Sequence, residues 1–88
     1  LDKSAASDEV RMNNFSPGDL VITTTRLAFR AIEDRSSHYI TLPGTLLQII
    51  QIMDMEDVDP YAQGRGALCF YAPMGHTILC NLDFLKPA

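Results

Sequence analysis

The sequence predicts a mainly-β domain, and three stretches carry that prediction. Leu46–Met53 is the longest apolar run, with a turn signal before it and an acidic cluster after it. Leu20–Thr25 is dense in β-branched residues. Ala67–Ala72 and Thr77–Leu82 flank the short turn segment Pro73–His76, which reads as a hairpin.

The central run fixes the architecture. It is about eight residues long, a common strand length and short for a helix. Side chains alternate between the two faces of a strand. One face carries Leu46, Gln48, Ile50 and Ile52, and the other Leu47, Ile49, Gln51 and Met53. Neither face is polar throughout, so both need a cover, from this chain or from another.

In chain order, residues 1–14 are polar and rich in small side chains, and they read as a flexible arm ahead of one domain spanning 15–88. Phe15-Ser16-Pro17-Gly18-Asp19 is turn chemistry, with Pro and Gly suited to a type II turn. Leu20–Thr25 is the first strand. Arg26–Asp34 supports two readings. Leu27, Phe29 and Ala31 alternate as in a strand, while Leu27/Ala31 and Ala28/Ile32 keep helical spacing. An irregular excursion with one helical turn is the expectation. His38–Leu42 is extended and leads into Pro43-Gly44. Asp54–Gly66 reads as a loop, acidic first, with two glycines around Arg65 that suggest positive φ, and Asp54–Gln63 is expected to be among the least ordered segments. In the hairpin, a turn centred on Met74-Gly75 sets Cys69 opposite Cys80. Asn81 is placed to cap a 3₁₀ turn over Asp83–Leu85. The expected core is Leu20, Ile22, Phe29, Leu47, Ile49, Leu68, Phe70, Leu79 and Leu82.

This order of parts resembles SH3-like small barrels. Pro17-Gly18-Asp19-Leu20-Val21 is similar to the phrase that opens many of them. A long excursion follows, and Pro43-Gly44-Thr45 enters the next strand. A hairpin and a 3₁₀ turn then close on Leu85-Lys86-Pro87. The resemblance spans Phe15–Pro87 and implies a small barrel of about five strands with a long irregular excursion after the first. It names no specific family, because turn phrases carry no chemistry. Domains of this shape serve as adaptors and accessory subunits, and fold alone does not choose among roles. The aromatic cluster that grips polyproline in peptide-binding SH3 domains is not matched, since the chain has three Tyr and no Trp.

Composition narrows the classes. Hydrophobic residues are 47% and charged residues 20%, as in globular domains. A net charge of −4 argues against phosphate backbones and anionic membranes as main partners. No apolar run reaches membrane-spanning length, and nothing near Leu1 resembles an apolar leader. Two Cys do not make a disulfide scaffold, so a reducing, cytoplasmic setting is the expectation.

Catalytic chemistry finds no constellation. Ser36-Ser37-His38 is a polar turn, because sequence neighbours rarely meet in triad geometry. Asp54, Glu56, Asp57 and Asp59 lack the Gly and distal Glu of a calcium loop. Gly64-Arg65-Gly66 precedes a strand and is no phosphate cradle. No catalytic, cofactor or metal residue is assigned. The leading expectation is a small non-enzymatic subunit or adaptor in a homo- or hetero-oligomeric assembly. It would act through an apolar patch of Leu46, Ile50 and Ile52, extended by Tyr71. The alternative is a small metal-binding or enzymatic protein using Cys69, Cys80 and a histidine, His38 or His76.

Overall fold

The computed structural model describes residues 15–88, so the expected arm at 1–14 lies outside the described residues. Seven strands follow one another: β1 (Leu20–Thr23), β2 (Leu27–Arg30), β3 (His38–Thr41), β4 (Leu46–Asp54), β5 (Arg65–Tyr71), β6 (His76–Asn81) and β7 (Leu85–Pro87). Short 3₁₀ turns, Met55–Asp57 and Leu82–Phe84, sit before β5 and β7. Five strands form one antiparallel sheet in the order β6-β5-β4-β1-β7, and β2 pairs with β3 in a second sheet. Hydrogen bonds do not close the larger sheet into a barrel: β6 and β7 are its edges.

The turns expected from Pro and Gly are present. At the first, Asp19 N–H donates to the Ser16 carbonyl, and Asp19 Oδ2 accepts from Ser16 N–H. Gly18 holds φ +95°, which the type II geometry requires and L residues resist. Gly66 matters for another reason. Its φ is not positive, but a Cβ there would lie 2.9 Å from the Cys80 carbonyl oxygen and run into the Met55 side chain. The 3₁₀ turn expected at Asp83–Leu85 starts one residue earlier, and Asn81 caps it by accepting from Asp83 N–H at 2.8 Å.

Three local expectations need correction. Arg26–Asp34 contains no helical turn: Leu27–Arg30 is a strand, so the period-two reading was the physical one. Its register with β3 pairs Phe29 with Tyr39. Second, the hairpin register is displaced by two residues. Ala72–Gly75 form the turn and Tyr71 pairs with His76. Met74 and Gly75 N–H both donate to the Tyr71 carbonyl, which makes a four-residue turn in place of a two-residue one. Cys80 therefore pairs with Ala67, and Cys69 with Ile78. Third, the loop is shorter than Asp54–Gly66: β4 runs to Asp54, a 3₁₀ turn covers Met55–Asp57 and β5 starts at Arg65. The 3₁₀ turn and the N–H donations of Met55 to Gly64, Asp59 to Met55 and Ala62 to Asp59 give it a hydrogen-bonded frame.

The core shows where strict alternation fails. Leu47 and Ile49 point inward on β4 as expected. A bulge between Ile49 and Gln51 then inserts Ile50 as an unpaired residue. One extra residue shifts the phase of the whole strand beyond it. Ile52 consequently packs against the core, in one row with Ala67 and Cys80. The adjacent inner row is Ile49, Cys69 and Ile78. On β1 the inward residues are Val21 and Thr23, so Leu20 is exposed and Ile22 only half-buried. On the hairpin, Phe70 is exposed and Leu68 and Leu79 are half-buried, because the inner positions belong to Ala67, Cys69, Ile78 and Cys80. Phe29, Leu82 and Leu85 complete the buried cluster, with Leu27 and Tyr39 packed against it. The β2–β3 hairpin thus joins the inner side of the large sheet.

Candidate functional site

The outward side of the large sheet gathers several exposed apolar side chains. Leu20 is 53% exposed, Leu46 53%, Ile50 45% and Phe70 38%. Register explains how they assemble. Leu20 pairs with Gln48, and Gln48 with Phe70, so one outward row crosses β1, β4 and β5. The next row runs from Leu46 through Ile22 to Lys86. Gln48 sits between the apolar side chains, and its Nε2 donates to the Gly18 carbonyl at 3.2 Å. That bond holds the amide against the turn.

The four residues of the expected patch separate. Leu46 and Ile50 are exposed on the outward side. Ile52 lies half-buried against the core because of the bulge. Tyr71 also packs against the core, with its ring centroid 5.6 Å from that of Tyr39. Leu20 and Phe70 take their places on the exposed side. Alternation on β1 and β5 places these two on one face with Leu46. Only the inward–outward choice for those strands was misjudged.

A second feature joins distant parts of the chain. The Tyr39 hydroxyl and His76 Nδ1 are hydrogen-bond partners, and the two rings are 5.7 Å apart. Tyr39, Tyr71 and His76 form an aromatic cluster that ties β3 to the ends of β5 and β6. Nearby, Ile32 N–H donates to the Thr77 carbonyl. Glu33 accepts from Thr77 N–H and Oγ1, each at 2.7 Å. These bonds, chiefly the one from the Thr77 backbone, hold the Glu33 carboxyl below its ordinary range. Nothing in the sequence announces this cluster, since it depends on how the β2–β3 hairpin docks.

A groove of about 340 Å³ opens between β2, the segment after it, the 55–62 loop and β6. Its lining includes Phe29, Arg30, Arg35, Val58, Asp59 and Leu79.

Cys69 and Cys80 are free thiols, both essentially buried. Burial pushes each thiol up to about 12. A thiol so held is neither a ready nucleophile nor a ready metal ligand. Among the described residues, no three His, Cys, Asp or Glu side chains converge as metal ligands. No helix among them is long and apolar enough to cross a membrane. Comparison with known proteins gave no match to a family model, a curated protein or a solved structure.

Proposed function

We propose that this chain is a non-enzymatic protein-binding module of SH3-like small-barrel type, acting as a subunit or adaptor in a homo- or hetero-oligomeric assembly. The strand order supports the fold assignment. A first strand, a hairpin excursion, the long β4, a hairpin and a 3₁₀ turn before the closing β7 follow the order of parts that carries the resemblance.

The observation that carries the function is the outward group of Leu20, Leu46, Ile50 and Phe70. Exposed aliphatic and aromatic side chains gathered on one sheet face, with Lys86 at its margin, fit a contact surface better than a solvated one. The excursion that could have covered them packs on the opposite side. Two buried, unpaired thiols fit a reducing, cytoplasmic setting, which belongs to the same proposal.

Ile50→Asp tests the idea. Ile50 is a bulge residue facing outward, so the variant keeps the core and should unfold at a temperature close to that of the wild type. It should at the same time lose association. A variant that unfolds instead would place Ile50 inside the fold, and one that associates unchanged would remove the patch from the contact.

A further inference from the structure

We infer that the outer edge of β3 pairs antiparallel with the same edge of a second copy of this chain, centred on Ile40. This contact is separate from the outward face of the large sheet.

The ladder between β2 and β3 decides which backbone groups are left to pair. Its register runs from Leu27 against Thr41 to Arg30 against His38. One step further on, Ala31 N–H donates to the Ser37 carbonyl at 3.1 Å. Bonded and non-bonded pairs alternate along an antiparallel ladder. The bonded pairs are therefore Ala31 with Ser37, Phe29 with Tyr39 and Leu27 with Thr41. The N–H and C=O groups of His38 and Ile40 point away from β2. The matching groups on the far side of β2 face β6, where Ile32 N–H donates to the Thr77 carbonyl at 2.8 Å. On its own far side β3 pairs with no strand among the described residues.

The other sheet edges are guarded. β7 carries Lys86 and Pro87, a charge and a missing donor, and both deter a further strand. β6 is covered at Thr77, whose carbonyl takes the Ile32 N–H and whose own N–H donates to Glu33. β3 has neither device. Ile40 is 63% exposed on it and Leu42, just past its end, 68%. From Ser36 to Met53 the chain holds no Asp, Glu, Lys or Arg.

Charge and symmetry select the occupant. A chain of net charge −4 repels copies of itself. Along the β3 edge, two copies meet without opposing like charges, and Arg30 lies one strand back beside His38. Antiparallel pairing about a two-fold axis at Ile40 sets the two Ile40 residues against each other, each N–H donating to the other's carbonyl. His38 of each copy then lies against Leu42 of the other. The edge is thus its own complement, as a two-fold contact requires. β3 is four residues long, so the contact is weak and shows at high concentration.

The test is a concentration series on the whole chain carrying Ile50→Asp, which disables the outward face and leaves β3 untouched. Sedimentation should show a monomer–dimer equilibrium that reaches half dimer by millimolar concentration. Amide exchange at Ile40 should slow at least fivefold between dilute and concentrated samples, with a much smaller change at Tyr39, which is already bonded to β2. Adding Ile40→Pro removes the outward donor and spares the β2 ladder, so it should leave a folded monomer. Adding Ile40→Lys keeps the backbone and sets two like charges together, which should weaken dimerisation at least tenfold. A chain that stays monomeric at millimolar concentration would overturn the inference, as would a dimer that Ile40→Lys leaves unchanged. Slow exchange at Ile40 at every concentration would also overturn it, since residues 1–14 of the same chain would then hold the edge.

Discussion

At the scale of single residues, the core is small and each member counts. Ile49 is essentially buried, beside Cys69 in the inner row that ends at Ile78. Ile49→Ala should cost ~2–5 kcal/mol in denaturant unfolding, as for buried aliphatic residues generally. A loss well under 1 kcal/mol would take Ile49 out of the core. Thr23 is the less obvious case. Its Oγ1 donates to the Leu42 carbonyl at 3.0 Å and accepts from Thr45 N–H at 3.1 Å, in a buried position. It therefore ties β1 to the Pro43-Gly44 turn. Thr23→Val keeps the shape and removes both bonds, which should cost about 1–2 kcal/mol. Unchanged stability would show that the turn does not depend on the hydroxyl. The thiols make a prediction with a definite sign. Folded Cys69 and Cys80 keep their protons up to about pH 12, whereas in the unfolded chain they titrate near 9.0. Above pH 9 the unfolded state binds fewer protons, so this contribution to stability is whole below pH 9 and falls as pH rises towards 12. The limiting slope is about 1.4 kcal/mol per pH unit for each thiol. Unfolding of wild type and of a Cys69→Ala, Cys80→Ala variant should diverge in slope across that window. Parallel profiles would contradict it.

At the scale of elements, each failure of sequence reading has a local cause. Leu46–Met53 announced β4 by length and flanks, and its first half shows the alternation expected. The bulge at Ile50 has no mark in the sequence, since Ile-Ile-Gln-Ile reads the same with or without it. Ile52 was therefore assigned outward and lies against the core. On β1, Leu-Val-Ile-Thr offers two nearly equal faces, and Thr23 wins the interior through its hydrogen bonds. Hydropathy favoured the Leu20 face. In the hairpin, Pro73-Met74-Gly75 signals a turn but not its length, and a four-residue turn moves every pair by two. The exposed side was legible in part, through Leu46 and Ile50. The groove was not, because it needs the docking of β2 against β6. The acidic loop also exceeds what its composition suggests. Hydrogen exchange should therefore find Met55, Asp59 and Ala62 amides slower than those of Glu56 and Asp57 beside them. Uniformly fast exchange from 54 to 63 would mean that the loop's hydrogen bonds do not persist in solution.

At the scale of the whole molecule, one imbalance dominates. The β2–β3 hairpin covers the inner side of the five-stranded sheet and leaves the outer side with Leu20, Leu46, Ile50 and Phe70. Association thus carries the account. The measurement that tests it most directly is the size of the particle that holds this chain in an unfractionated native extract, read by size-exclusion with immunodetection. The account predicts a particle clearly larger than the 9.8 kDa chain, and a shift to single-chain size for Ile50→Asp with its fold intact. A wild-type chain eluting at single-chain size would contradict it.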